Sequence, residues 1–214
     1  MRNIKEEALL WVRLISFVVI WAAILYVTRT GLSINWEALK KLPDVVTVYV
    51  ILAFAFTKWF WRMSVFQGWL VPFPDLQGTW RGELKSTWKD PNTGQHLAPI
   101  PTTLVIRQTF SSIRCTVFTG ESESYSTAAQ ITHDEESGAL FLNYNYTNRP
   151  KAMIRDRSAI HDGAARLRII NAPERLLEGE YWTGRCTTGD IALRFVSDEL
   201  AERPTDSSHP MQPR

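Results

Sequence analysis

The chain is poor in the residues from which active sites and disulfide frameworks are made. Its 214 residues hold 2 cysteines, Cys115 and Cys186, and 4 histidines. Such a pair matches no zinc-ligand spacing and cannot staple a domain of this size. Free thiols and a cytosolic domain are the expectation. No HExxH, GxSxG or Walker loop occurs, and no histidine is paired with a candidate nucleophile. Catalysis is therefore not expected, nor a metal or a cofactor. Charge of one sign is lacking too. The 24 Lys+Arg against 22 Asp+Glu leave a net charge of +2. That is too little to mark the whole chain as a binder of DNA or RNA polymer. No internal repeat is visible.

What is present is sharply divided. Two apolar runs, 8–27 and 45–61, fill the first third. A hydrocarbon core of about 30 Å needs roughly 20 helical residues, so both runs are read as transmembrane helices of one hairpin, residues 1–67. Arg13 near the start of the first run can snorkel to headgroups. Trp11, Trp21 and Tyr26, and then Trp59, Phe60 and Trp61 beside Lys58 and Arg62, resemble interface belts, although Trp21 lies deep for that role. Residues 28–44, with Gly31, Asn35 and Pro43, read as an exposed connector. Basic residues on the outer flanks, set against Arg29, Lys40 and Lys41 in the connector, favour a multi-pass protein with both termini in the cytoplasm. No small-residue cleavage site follows the first run, which argues against a signal peptide.

From Leu76 the period changes to alternation. Eight strands are predicted, over 76–85, 103–110, 113–119, 123–132, 139–146, 165–170, 176–182 and 190–196. Leu76, Gly78, Trp80, Gly82 and Leu84 share one face, as do Ile191, Leu193 and Phe195. Glu178 and Glu180 fall opposite Leu177, Gly179 and Tyr181. Short strands with one apolar face close into an up-and-down antiparallel barrel of about eight strands, lipocalin-like in form, over residues 68–196. The polar, proline-rich residues 197–214 read as a disordered tail. Trp80 is read as a core residue closing the barrel, His161 as a loop hydrogen-bonding residue, and His133 as a turn residue.

Link lengths locate the site. One end receives short links. The other receives 86–102, 120–122, 147–164 and 183–189, three of them long, and functional groups concentrate on such loops. Both barrel termini return to the short-link end, so this mouth should face away from the bilayer. Arginines suit phosphates, aromatic faces stack on bases, and hydroxyls and amides read base or sugar edges. The candidate ligand-binding residues are Tyr146, Asn148, Arg149, Trp182, Thr183 and Arg185. Arg185 and Arg149 are assigned to phosphates, Tyr146 and Trp182 to base stacking, Thr183 and Asn148 to base edges. The ligand class is a nucleotide-like small molecule.

The stretches LQGTWRGEL (76–84), TLVIRQT (103–109), YNYTNRP (144–150), HDGAARL (161–167) and LEGEYWTGRCTTGDIAL (177–193), behind two membrane helices, resemble the SMODS-associated two-transmembrane β-strand-rich effectors of bacterial CBASS anti-phage defence, the CD-NTase-associated membrane β-barrel proteins. The resemblance covers the chain to about Val196. It implies a barrel that binds a cyclic dinucleotide made by a cognate nucleotidyltransferase. It further implies homo-oligomerisation on binding, disruption of the inner membrane, and growth arrest or cell death. The alternative is a membrane-tethered, lipocalin-like binder of lipid or another hydrophobe, suggested by GTWRG. It requires an apolar cavity and no dependence on Arg149 or Arg185.

Overall fold

The computed structural model describes residues 6–31 and 35–203. They form two compact units, one of residues up to Pro74 together with Thr109–Ser111, the other of the remainder.

The first unit is helical. Helix α1 (Glu6–Val27) and helix α3 (Leu42–Lys58) pack side by side, with Phe17 edge-on to Tyr49 at 5.9 Å. Leu25 and Val45 are buried, whereas Val18, Val19, Val50, Ile51 and Phe54 are exposed. Exposed aliphatic surface on both helices is unfavourable in water and favourable in lipid. The stretch Leu10–Val27 is long and apolar enough to cross a membrane. Helix α3 has 17 residues and spans only about 25 Å, so a second crossing is less plain than its sequence suggests.

The connector is more structured than an open loop. Asn35 caps a helical turn, α2 (Trp36–Leu39), accepting from the Ala38 amide at 2.9 Å. The Trp21 indole donates to Ala38 O at 3.4 Å, which accounts for a tryptophan so deep in the first apolar run. Residues 32–34 of the connector lie outside the described residues. The second helix ends earlier than expected. After Lys58 the chain enters a 3-10 turn, Phe60–Arg62. Trp61 is fully buried beneath the Arg62 guanidinium and against Phe73, and so is no belt residue, while Trp59 and Phe60 remain exposed.

The second unit is a closed barrel of eight antiparallel strands in sequence order. They are β1 (Gly78–Ser86), β2 (Ile100–Gln108), β3 (Ile113–Phe118), β4 (Ser122–His133), β5 (Leu140–Pro150), β6 (His161–Ile170), β7 (Leu176–Thr183) and β8 (Thr188–Ser197). Strand β1 pairs with β8 from Thr79↔Ser197 to Ser86↔Gly189, so no edge is left open. Leu104, Ile106, Leu142, Leu167 and Leu177 fill the interior with Trp80, and none is more than 1% exposed. Glycines admit the closest strand approaches. A Cβ on Gly82 would meet Ala192 O at 1.9 Å.

The short-link end is plugged. The Trp80 indole donates to Leu76 O at 2.9 Å, as expected of a closing core residue. The Arg175 guanidinium lies 3.7 Å from the Phe195 ring centroid and 5.3 Å from that of Trp80, and donates to Asp75 O at 2.6 Å. The segment after β8 is docked rather than free. Thr79 Oγ1 donates to Glu199 O and accepts from the Ala201 amide. Residues 204–214 of the expected tail lie outside the described residues.

Candidate functional site

The other end of the barrel is open. A cavity of about 690 Å³ enters there, bounded by the links 87–99, 119–121, 151–160 and 184–187. That volume lies in the range of small-molecule sites, about 300–1,000 Å³. The link 87–99 folds into a small hairpin through a Lys89↔His96 bridge, and carries Trp88 and Leu97 to the rim. Strands β5 and β6 run further than the sequence suggests, so Asn148 and Arg149 lie on β5, and the link between the strands contracts to 151–160.

This lengthening fixes which side chains face inward. Four of the six candidates line the cavity: Tyr146, Asn148, Thr183 and Arg185. Two do not. Arg149 follows Asn148 on β5, and Trp182 precedes Thr183 on β7, so each points outward by strand alternation, and both are exposed. The inward aromatic of that pair is Tyr181. The alternation Leu177, Gly179, Tyr181, Thr183 carried this signal in the sequence. Tyr144 and Ser124 also face inward, as does Trp88 from the distant first link.

The wall combines aromatic rings with satisfied polar groups. Tyr144 and Tyr146 are tilted against each other at 5.9 Å between centroids. Gly163 on β6 makes room for Tyr146, since a Cβ there would come within 2.6 Å of its Cζ. Ser124 Oγ donates to Asn148 Oδ1 at 2.8 Å, and the Thr183 and Thr187 hydroxyls are 2.6 Å apart. His161 begins β6 rather than lying in a loop; its Nδ1 donates to Ala159 O at 2.8 Å. His133 ends β4.

Electrostatics single out Arg185. The wall has three charged side chains, Glu121, Arg157 and Arg185. Arg157 and Glu121 form an ion pair. Arg185 donates to Ser158 Oγ at 3.1 Å and, among the described residues, has no carboxylate partner. Burial pushes the Tyr146 hydroxyl up to about 12, and raises Tyr181 as well; the Arg185 charge acts on both in the opposite direction. At neutral pH the phenols are therefore uncharged, and oppose no anion. A positive fork in a chamber of neutral aromatic rings suits a phosphate joined to a flat heterocycle.

Residues 71–194 match the family described as "Cap15, cyclic dinucleotide receptor domain". The chain belongs to that family. Among its curated relatives, a CD-NTase-associated protein 15 of Staphylococcus schleiferi is 27% identical over 177 residues, 83% of this chain and 90% of the relative. Another protein of the same name, from Escherichia albertii, is 29% identical over 151 residues, 69% of this chain and 73% of the relative. The Cap15 match covers every residue that lines the cavity and the barrel up to Arg194, three residues before β8 ends. As a CBASS effector of the Cap15 type, the chain has a cyclic dinucleotide as its class of ligand. Neither cysteine is bonded in the structure: Cys115 is buried and Cys186 exposed.

Proposed function

We propose that the Cap15 barrel binds its cyclic dinucleotide in the open cavity, with Arg185 holding a phosphate. Tyr146 and Tyr181 stack on bases; Thr183 and Asn148 meet base or sugar edges. Arg149 and Trp182 are left out of this set because they face outward. The supporting observation is the unpaired Arg185 cation among neutral aromatic rings in a cavity of ligand size. The ligand is sensed rather than turned over. Helices α1 and α3 anchor the chain as a hairpin in the bacterial inner membrane, with barrel and both termini in the cytoplasm. Lys58, in the last turn of α3, and Arg62, just beyond the second apolar run, support that orientation. Binding orders the mouth links, favours barrel–barrel contact and clusters the helices. Restriction to two dimensions raises the effective concentration of neighbours. Disruption of the membrane and growth arrest follow.

The test is thermal melting of the full chain in detergent against cyclic dinucleotides and fatty acids. A ligand at 100 times its Kd stabilises by about 2.7 kcal/mol. One or a few cyclic dinucleotides should raise the melting temperature and be recovered intact, and light scattering should show larger assemblies. A response to fatty acids alone would instead favour a lipid binder. Conversion of the nucleotide would make the barrel an enzyme.

A further inference from the structure

Outside the cavity, one charge arrangement has no role in ligand binding. Arg107 on β2 and Arg114 on β3 are directly opposed across the antiparallel ladder, and both are exposed. Like charges facing each other on neighbouring strands are destabilising. Surface arginines usually escape that cost through a nearby acid. Among the described residues neither arginine has an ion pair. Two guanidinium forks carried at opposed positions of neighbouring strands can together complement one anionic phosphodiester.

The place of the pair in the chain says which phosphodiester. Arg107 and Arg114 stand three and four residues either side of Phe110. Within the helical unit, Phe110 donates its amide to Thr57 O at 3.1 Å, in the last turn of α3, and its ring packs on Phe56 and Phe73. Three or four residues of chain reach at most about 14 Å. Exposed Trp59 and Phe60 follow that last turn, as residues at the headgroup level do. We propose that Arg107 and Arg114 together bind the headgroup phosphate of an anionic phospholipid of the membrane that holds the helices. This rests on the membrane-anchor reading above.

The experiment uses the full chain in nanodiscs of phosphatidylcholine alone or with phosphatidylglycerol, comparing the native protein with R107Q/R114Q. Incorporation into discs tests the anchor reading, and the melting temperatures test the pair. Arginines at an anionic surface should raise the native melting temperature in anionic over neutral discs by on the order of 4 °C. High salt should abolish the rise, inorganic phosphate should not reproduce it in neutral discs, and R107Q/R114Q should not show it. In neutral discs the variant should melt no lower than the native chain, since a repulsion has been removed. An equal rise in both proteins, or none in the native chain, overturns the proposal while leaving the anchor standing. A rise on adding inorganic phosphate in neutral discs would overturn it in favour of a free-anion site.

Discussion

Replacing Arg175 should destabilise the barrel without touching ligand affinity. Arg175 closes the plugged end, opposite the cavity. Its guanidinium stacks 3.7 Å from the Phe195 centroid, also faces Trp80, and donates to Asp75 O at 2.6 Å. A half-exposed cation–π contact contributes about 0.5–2 kcal/mol, and a hydrogen bond from a charged donor about 1.5–3 kcal/mol. Allowing for partial solvation, Arg175→Ala should cost about 2–3 kcal/mol. At about 2–4 °C per kcal/mol for a chain of this size, the melting temperature falls by about 4–12 °C. Arg175→Lys keeps the charge but loses the planar stack and should fall between. A cycle with Phe195→Leu should give a coupling energy near 1 kcal/mol. The assay is melting of the full chain in detergent, repeated with saturating nucleotide. An Arg175→Ala protein that melts within a degree of the native chain would refute this view of the plug. A large fall in nucleotide affinity would show that the two ends are coupled.

At the mouth, Arg185→Ala should weaken nucleotide binding about 10–100-fold, whereas Arg149→Ala and Trp182→Ala, both outward-facing, should leave the Kd within about twofold in equilibrium titrations. Thiol titration at neutral pH should find one reactive cysteine per folded chain, the exposed Cys186, and two after unfolding; burial pushes the Cys115 thiol far up and hides it. Stability should be insensitive to Tyr146 below pH 10 and fall between pH 10 and about 12. The hydroxyl is held protonated in the fold but ionises near 10.0 in the unfolded chain, so rising pH favours unfolding in that window. Tyr146→Phe should flatten that part of an alkaline unfolding curve.

Period was the most legible signal in the sequence. Alternation gave all eight strands and the closed barrel because a half-buried strand exposes every second residue to water, whatever its partners. Ends were less legible. The sequence TNRP looks like a loop, but Ser122↔Pro150 and Asn148↔His161 pairing carries β5 and β6 beyond it. That tertiary pairing outweighs local turn composition. The cavity wall was half legible. Tyr146, Asn148, Thr183 and Arg185 lie on two segments that line the cavity, while Trp182, chosen for its place at a strand end, faces outward by the alternation that turns Tyr181 inward. Ser124 and Trp88 gave no signal, since the strand register and the β1–β2 hairpin bring them to the mouth from distant segments. The end of the second helix was hidden for a similar reason: Trp61 reads as an interface-belt aromatic, yet packing on Phe73 buries it.

The measurement that bears most directly on where the nucleotide binds is hydrogen–deuterium exchange of the full chain in detergent, with and without the cyclic dinucleotide that raises its melting temperature. Protection should concentrate in the mouth links 87–99, 119–121, 151–160 and 184–187, and should be absent from the β4–β5 link 134–139 at the plugged end. Protection confined to the plugged end, or tight binding with no change at the mouth, would contradict the assignment of the open cavity as the receptor site.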